Sequence, residues 1–345
     1  MHFEKGGKVI IILKPGALKE DADTILKKIK SEGLKPLYMP GTERTVIGAI
    51  GDERKLGKCH FENYPCVEKI TQVLSPYKLV SREVHSGNTV VKIGKAKIGG
   101  KKIVVMAGPC AIESFDQMLA TANIVKSAGA EVLRGGAFKP RTSPYAFQGL
   151  GLEGLKILKD VSRETGLPTI TEVVEVADVE TVSNYADAFQ VGARNMQNFR
   201  LLKELGQARK PVVLKRGMAA TLEDLLLAAE YIVAEGNPNV IFCERGIRTF
   251  ETATRNTLDL AAVPHLKKKS HLPVIVDPSH GTGVRDYVAP MSAAAIACGA
   301  DGVIVEVHVH PEAALSDGQQ SLNAEEFSEL MKKLRLFAAA AGREL

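Results

Sequence analysis

Residues 103–134 read I-V-V-M-A-G-P-C-A-I-E-S-F-D-Q-M-L-A-T-A-N-I-V-K-S-A-G-A-E-V-L-R, and they contain a pattern that repeats through the rest of the chain. A short apolar run (103–107) is followed by a helical pattern (116–128) and then by a second apolar run (131–134). Strands that are apolar on both faces and are joined by helices indicate a parallel sheet. The stretch therefore predicts a strand, its crossover helix and the next strand.

The same alternation continues towards the C-terminus. Six further apolar runs occupy 168–172, 188–192, 211–215, 240–244, 273–277 and 302–307. Helical patterns lie between them, including 151–165, 222–235 and 288–298. Eight such units in about 240 residues match a TIM barrel, whose typical size is ~250 residues. A doubly wound sheet is the alternative, but it would more often have fewer strands. We predict an α/β chain whose residues 102–345 form a catalytic (β/α)8 TIM barrel.

Residues 1–75 show a different order of predicted strands and helices. Strands are predicted at 9–13, 35–38, 44–50 and 67–73, and helices at 19–33 and 53–61. This β-α-β-β-α-β order is typical of a small ferredoxin-like domain. Between the two domains, Pro76, Gly87 and Gly94 punctuate a segment whose end alternates like a hairpin. Residues 76–101 are therefore predicted to be a linker and a β-hairpin.

The composition is that of an ordinary globular chain, with 345 residues, 45% hydrophobic and 25% charged. The modest net charge of +5 and the absence of Trp argue against a nucleic-acid partner. No apolar stretch approaches the ~20 residues of a membrane span, so no membrane association is expected. Five cysteines and no secretory signal predict a cytoplasmic protein. Cys59 and Cys66 could pair, but two free thiols are favoured.

The run R-G-G-A-F-K-P-R-T-S-P-Y (134–145) follows one of the predicted strands directly. It carries Arg134, Lys139, Arg141, Thr142 and Ser143. Guanidinium, ammonium and hydroxyl groups that converge at a strand end suit a phosphate or carboxylate ligand. A solvated basic loop is the alternative. The glycines and prolines of the run and the strand before it favour the anion site.

Reactive groups of a TIM barrel lie at the C-terminal ends of its strands. In chain order these ends carry Cys110, Arg134, Glu172, Arg194, Lys215, Arg245, His280 and Glu306. So many cations in one barrel mouth are tolerable only if anions occupy it, and two phosphorylated ligands, one also a carboxylate, would account for them. Each cation taken alone has an alternative role as the ion-pair partner of a nearby carboxylate.

A second set at the same end has mixed donor atoms: Cys110, His280, Glu306 and, in a later loop, Asp317. One thiolate, one imidazole and two carboxylates suit a divalent transition metal. The separations are too long to be a metal motif by themselves. On the residues alone, a buried Cys110 and a capping His280 remain the alternative.

Seven motifs occur in order along the chain: G-P-C-A-I-E-S (108–114), R-G-G-A-F-K-P-R-T-S-P-Y (134–145), G-A-R-N (192–195), L-K-R-G (214–217), C-E-R-G-I-R (243–248), D-P-S-H (277–280) and S-D-G-Q-Q-S-L (316–322). Together they resemble the small type I branch of the 3-deoxy-D-arabino-heptulosonate 7-phosphate (DAHP) synthases. That branch is akin to the 3-deoxy-manno-octulosonate 8-phosphate synthases, but K-P-R-T-S (139–143) favours the heptulosonate enzymes. Residues 1–75 resemble the ferredoxin-like regulatory domain of some members.

The resemblance implies a role for each matched residue. Cys110, His280, Glu306 and Asp317 would bind a divalent transition metal (Mn²⁺, Fe²⁺, Co²⁺, Zn²⁺ or Cu²⁺). Phosphoenolpyruvate would be held by Arg134, Lys139, Arg194, Lys215 and Arg245. The phosphate of erythrose 4-phosphate would be held by Arg141, Thr142 and Ser143. Glu172 would lie near the reacting carbons, and Lys139, Cys110 and His280 would be catalytic. Arg248, His308 and His310 are expected to be structural or supporting groups.

The implied reaction is a metal-dependent condensation of phosphoenolpyruvate with D-erythrose 4-phosphate and water, which gives DAHP and phosphate in the first step of the shikimate pathway. The resemblance also suggests a homotetramer that tyrosine or phenylalanine inhibits through residues 1–75. Three alternatives remain open: an octulosonate synthase, a Schiff-base aldolase that uses Lys215, and a phosphometabolite sensor without turnover.

Overall fold

The computed structural model describes residues 8–40, 45–50, 55–56, 59–73, 76–141 and 143–345. The chain divides into two compact units, Met1–Gly87 and Asn88–Leu345. Thr142, one of the predicted phosphate ligands, lies outside the described residues.

The first unit is a four-stranded antiparallel sheet with one long helix. Its elements are β1 (Lys8–Leu13), α1 (Lys19–Ser31), β2 (Lys35–Pro40), β3 (Thr45–Ile50) and β4 (Val67–Val73). The strand order is β2-β3-β1-β4, so that the first strand lies between the third and the fourth. The predicted ferredoxin-like arrangement of strands is confirmed.

Helix α1 packs against the sheet because its apolar residues recur at Ala22, Ile25 and Ile29, along one face of a helix. These side chains belong to one buried cluster with Ile11 and Ile47 of the strands. Burial of this face stabilises the unit through the hydrophobic effect.

The second helix of the predicted order, 53–61, lies partly outside the described residues. In the part that the structure describes, Phe61–Asn63 forms a single 3-10 turn, and the ring of Phe61 is buried. The predicted helix itself stays a prediction, because four of its nine residues lie outside the described ranges.

The second unit begins with a hairpin of two short strands, β5 (Val91–Ile93) and β6 (Ala96–Ile98). The inward side chains of this hairpin pack in one cluster with residues such as Val104 and Val132, which begin barrel strands. The hairpin therefore covers the amino-terminal end of the barrel, and the opposite end is left for ligands.

Eight parallel strands close into the barrel, as the apolar runs predicted. They are β7 (Val104–Gly108), β8 (Val132–Arg134), β9 (Thr169–Glu172), β10 (Ala188–Val191), β11 (Val212–Lys215), β12 (Val240–Glu244), β13 (Val274–Val276) and β14 (Gly302–Glu306). Pairing of β14 with β7 closes the ring. Nearly every strand residue is buried, because the barrel interior and the outer helices cover both faces.

Helices follow the strands. They are α2 (Phe115–Ala128), α3 (Leu152–Thr165), α4 (Val179–Tyr185), α5 (Phe199–Ala208), α6 (Leu222–Ala234), α7 (Ala262–Lys269), α8 (Pro278–Thr282), α9 (Arg285–Ala297) and α10 (Ala324–Ala340). Within the described ranges, none of the helices has the length and apolar character that crossing a bilayer requires. All five cysteines are free, which confirms the preference for unpaired Cys59 and Cys66.

Candidate active site

The four predicted metal ligands come together at the C-terminal end of the barrel. Each offers one ligand atom, and these atoms all lie within 4.8 Å of one another. His280 Nε2 is 3.3 Å from Glu306 Oε1 and 3.8 Å from Asp317 Oδ2. The Sγ atom of Cys110 is 3.4 Å from Asp317 Oδ2. One sulfur, one nitrogen and two carboxylates thus surround a common point.

Local backbone features place these side chains. A Cβ atom on Gly108 would lie 2.0 Å from the carbonyl oxygen of Arg134, so only glycine allows the close approach that leads to Cys110. Asp317 has a left-handed backbone (φ 51°), and Gly318 follows it where a Cβ would meet the carbonyl oxygen of Pro311 at 2.1 Å. Two crowded glycines therefore set the backbone beside two of the four ligands.

Asp277 orients the imidazole of His280. Its Oδ1 accepts a hydrogen bond from the backbone N–H of His280 at 2.9 Å, and its Oδ2 lies 2.7 Å from His280 Nδ1 and 2.5 Å from Lys215 Nζ. Burial opposes ionisation of Asp277, but the charges of His280 and Lys215 hold the pKa of its carboxyl well below the ordinary value. An ionised Asp277 accepts the Nδ1 proton and leaves the Nε2 lone pair facing the cluster.

The cluster has the properties of a cation site. When the imidazole is neutral with its proton on Nδ1, His280 Nε2 and Glu306 Oε1 are two acceptors only 3.3 Å apart, so a bound cation or a second imidazole proton must lie between them. Burial, followed by the charge of Glu306, raises the pKa of the Cys110 thiol to about 12. The thiolate of Cys110 therefore needs a neighbouring cation in order to form at neutral pH.

Both carboxylates of the cluster are ionised. Burial opposes the charge of Glu306, but His280 and Arg134 outweigh it and lower the pKa of that carboxyl. Burial likewise opposes the charge of Asp317, and His280 with Arg255 lowers its pKa. Two anionic oxygen donors are thus available near neutral pH.

A cavity of about 370 Å³ opens beside the cluster. Its lining contains seven cationic side chains: Lys139, Arg141, Arg194, Lys215, Arg245, Arg248 and Arg255. The predicted residues Ser143 and Glu172 line it as well, together with the metal-cluster residues His280 and Asp317. The predicted anion-binding groups that line the cavity therefore share one space with two of the four cluster residues, His280 and Asp317.

Arg134 lies next to the metal cluster rather than in the cavity lining. It is buried, and its Nη1 donates to Glu306 Oε1 at 2.9 Å and to the carbonyl oxygen of Pro109 at 2.8 Å. Its Nε–H has no hydrogen-bond partner among the described residues. Because an unsatisfied buried donor is costly, this N–H is a candidate donor to a group bound next to the cluster.

Glu172 depends on the small size of a neighbour. Its Oε2 accepts a hydrogen bond from Gln190 Nε2 at 3.0 Å, and a Cβ atom on Gly192 would lie 2.1 Å from Oε1. The glycine of the G-A-R-N motif therefore leaves room for this carboxylate at the cavity wall.

Several residues of the site were not predicted. Asp277, Gln320 and Ser316 contact the metal cluster, and Arg255 lines the cavity. Arg248, which was expected to be structural or supporting, is part of that lining. Asp277 is the last residue of the apolar run 273–277. The expectation that reactive groups lie at the C-terminal ends of barrel strands would therefore have selected it, had every polar strand-end residue been considered.

Family comparisons agree with this geometry. Residues 83–338 match the DAHP synthetase I family, and residues 9–75 match the DAHP synthase ferredoxin-like domain. The chain is 52% identical over 334 residues to a phospho-2-dehydro-3-deoxyheptonate aldolase of Thermotoga maritima, covering 97% of this chain and 99% of that protein. It is 35% identical to a 2-dehydro-3-deoxyphosphooctonate aldolase of Syntrophobacter fumaroxidans, over 69% of this chain and 88% of that one.

Two solved structures of DAHP synthases are also similar to this chain. The crystal structure of the Thermotoga maritima DAHP synthase superposes with a TM-score of 0.78 at 51% identity and covers 98% of this chain and 99% of that one. A truncated form of the Thermotoga maritima enzyme superposes with a TM-score of 0.73 at 50% identity and covers 78% of this chain and 98% of that one.

Proposed function

This chain belongs to the DAHP synthetase I family, and we propose that it condenses phosphoenolpyruvate with D-erythrose 4-phosphate and water to give DAHP and phosphate. The observation that carries the proposal is the cavity in which seven cations face a cysteine, histidine and carboxylate cluster. The reaction requires both parts, because two anionic substrates must meet at one electrophilic carbon.

The cationic lining suits two phosphorylated substrates. Lys215 is paired with Asp277, whereas the described contacts of Arg245 are only long ones, 3.4–3.5 Å, to backbone carbonyl oxygens. Burial lowers the pKa of Arg245, the charge of Asp277 opposes this effect, and the charge of Arg255 adds to the lowering, so the surroundings partly disfavour the Arg245 charge. A bound anion relieves this repulsion, and we assign phosphoenolpyruvate to Lys139, Arg194, Lys215 and Arg245, with Arg134 as an additional donor.

The segment that follows β8 offers groups for the second phosphate. Arg141 and Ser143 lie on the segment that follows β8, and Arg141 Nη1 donates to Ser316 Oγ at 2.7 Å. We assign the phosphate of erythrose 4-phosphate to this segment, together with Thr142. Fixing both anions in attack geometry can contribute roughly 7–11 kcal/mol to lowering the barrier.

The cluster fits a divalent transition metal. Cys110, His280, Glu306 and Asp317 would hold it, and their mixed donors admit Mn²⁺, Fe²⁺, Co²⁺, Zn²⁺ or Cu²⁺. When bound, such a cation supplies Lewis-acid polarisation of a carbonyl group.

The protein orients the reaction around this site. The C3 carbon of phosphoenolpyruvate bonds to the aldehyde carbon of the second substrate, water adds at C2, and phosphate leaves by C–O cleavage. Lys139 Nζ lies 2.9 Å from Cys110 Sγ, so we assign it to hold a proton beside the aldehyde oxygen as that oxygen becomes a hydroxyl. Glu172, at the cavity wall, is the nearest candidate to orient the water.

The alternatives have less support. Lys215 forms a buried ion pair with Asp277, a setting that suits an anion-binding ammonium better than an amine nucleophile. The octulosonate aldolase among the relatives described above is 35% identical to this chain, against 52% for the heptonate aldolase. A sensor without turnover would have no use for four converging metal ligands.

We extend the proposal to regulation and assembly. Among the described residues, those that line the cavity all belong to Asn88–Leu345, and we assign the ferredoxin-like unit to inhibition by tyrosine or phenylalanine. Such an effector acts only through unequal affinity for two states of the protein. We also propose a homotetramer in the cytoplasm, where free cysteines are stable.

The direct test is release of inorganic phosphate from phosphoenolpyruvate by the purified chain. We expect release that depends on erythrose 4-phosphate, is weak with arabinose 5-phosphate, and stops after chelation. Preference for the five-carbon substrate would favour the octulosonate reaction. Trapping of a borohydride adduct on Lys215 would favour the aldolase.

A further inference from the structure

Gln320 is a buried residue to which the reaction above assigns no role. It ends the 3-10 turn Gly318–Gln320 that directly follows Asp317, and its side chain is fully buried. Two residues later, the backbone N–H of Leu322 donates to the carbonyl oxygen of Glu306 at 2.9 Å. This hydrogen bond holds the loop against the C-terminal end of β14, where the Gln320 side chain contacts the Glu306 carboxylate.

Both ends of the Gln320 amide are engaged. Its Nε2 donates to Glu306 Oε2 at 2.6 Å, and its Oε1 accepts from Arg255 Nη1 at 3.1 Å. The reversed amide would place its oxygen against a carboxylate and its NH₂ group against a guanidinium, which are two repulsive contacts. The chemistry of the two partners therefore fixes the amide orientation.

These bonds lock the carboxylate of Glu306. Gln320 holds Oε2, while Oε1 accepts from Arg134 Nη1 at 2.9 Å and faces His280 Nε2 at 3.3 Å. With a donor on each oxygen, the carboxylate cannot rotate without losing a buried hydrogen bond. One lone pair direction of Oε1 is thereby kept towards the cluster.

The other end of the amide reaches the second carboxylate of the cluster. Arg255, which donates to Gln320, also lies 3.6 Å from Asp317 Oδ2 and lines the substrate cavity. Gln320 therefore connects Glu306 directly, and Asp317 through one guanidinium, within a single chain of contacts.

We propose that Gln320 is a positioning residue of the metal centre, which holds Glu306 and, through Arg255, Asp317 in the arrangement that the cation requires. The inference rests on the metal site proposed above. A long side chain with one donor and one acceptor on opposite sides is needed here, and only glutamine among the uncharged residues combines both with this reach. Loss of such an outer partner typically weakens metal binding about 10–100-fold.

The test measures metal binding without turnover. Metal-stripped protein is titrated with Mn²⁺ and followed by electron paramagnetic resonance, and with Co²⁺ to record the thiolate charge-transfer band of Cys110. Gln320→Leu should weaken Mn²⁺ binding about 10–100-fold and change the Co²⁺ band. The matched control is Gln319→Leu, one residue away and exposed, which should leave both measurements as in the unsubstituted chain.

A second variant keeps the test decisive if leucine prevents folding. Gln320→Glu has nearly the same shape and keeps an acceptor for Arg255, but it sets a carboxylate against Glu306 where the N–H was, so it too should weaken Mn²⁺ binding at least about 10-fold. Affinity within about twofold of the unsubstituted chain in a folded variant would overturn the inference. Failure of the unsubstituted chain to bind Mn²⁺ or Co²⁺ would instead overturn the metal site, and the inference with it.

Discussion

At the scale of single residues, burial decides the chemical form of Cys110. Its side chain is 1% exposed, and burial together with the charge of Glu306 raises the pKa of the thiol to about 12. Below that pH the metal-free side chain is a neutral thiol, whereas the ligand of a transition metal is the thiolate. Metal binding must therefore displace a proton.

We predict that metal uptake by the stripped protein at pH 7 releases about one proton per site, because Cys110 must ionise. Calorimetric titration in two buffers of different ionisation enthalpy measures this number directly. The Cys110→Ala variant should keep its fold but lose most of its bound metal, its turnover and this proton release. Identical enthalpies in the two buffers, or normal turnover of Cys110→Ala with stoichiometric metal, would contradict the assignment.

Gly192 provides a second prediction at this scale. In Gly192→Ala the new Cβ would lie 2.1 Å from Glu172 Oε1, so the carboxylate must leave its position. We expect a folded protein whose kcat falls by up to about 100-fold, the effect of misplacing an active-site group by about an ångström. Gly100→Ala is the control, since its Cβ would have only an ordinary 3.8 Å contact. Equal activity of the two variants would show that Glu172 has no role.

At the scale of elements, the catalytic groups lie on strand ends and loops and, for His280, on the short helix α8, while the longer helices stabilise the ring. Helix α6 begins with a reciprocal capping box: Thr221 Oγ1 accepts from the N–H of Asp224 at 3.1 Å, and Asp224 Oδ2 accepts from the N–H of Thr221 at 2.8 Å. The Thr221 hydroxyl, which donates to Asp224 Oδ2 at 2.7 Å, and then the Thr221 N–H lower the pKa of that carboxyl, which is consistent with a carboxylate at a helix N-terminus.

Substitution of this cap should separate stability from catalysis. Thr221→Ala removes both hydrogen bonds that the hydroxyl makes with Asp224, and we expect the free energy of unfolding to fall by about 0.5–2 kcal/mol. Turnover should be unchanged, because Thr221 does not line the cavity. Denaturant unfolding measures the predicted loss of stability, and phosphate-release assays measure the predicted unchanged turnover. A large loss of kcat with unchanged stability would mean that α6 takes part in the site.

At the scale of the whole molecule, the chain consists of two units, and every residue of the candidate site belongs to Asn88–Leu345. A truncated form of the Thermotoga maritima synthase has a solved structure, which covers 78% of this chain. The catalytic unit is therefore expected to fold without the ferredoxin-like unit.

We predict that a chain beginning at Ser86 keeps catalysis and loses inhibition by tyrosine or phenylalanine. Phosphate release by the full and shortened chains, each with and without millimolar amino acid, tests this. The regulatory assignment fails if the full chain ignores both amino acids, or if the shortened chain is equally sensitive.

The sequence by itself determined the barrel and the ferredoxin-like strands. Burial on both faces makes each barrel strand an unbroken apolar run, and this pattern is local, so 103–107 or 240–244 can be recognised without knowledge of the fold. The strand-end rule and the motifs also selected Cys110, His280 and Glu306, which the structure brings together. The helix predicted over 53–61 lies partly outside the described residues and stays a prediction.

Only the tertiary structure decided which polar groups support the site. Gln320 meets Glu306 across 14 positions, and Lys215 meets Asp277 across 62, so no local spacing records either contact. Likewise, Arg134 and Arg248 belong to equally basic segments, yet one lies beside the metal cluster and the other in the cavity wall. The spacing of apolar residues within one strand or helix indicates which of its faces is buried, and this spacing can be read from that segment alone. Hydrogen-bond partners depend instead on how barrel closure aligns distant strand ends, and only the folded chain contains that information.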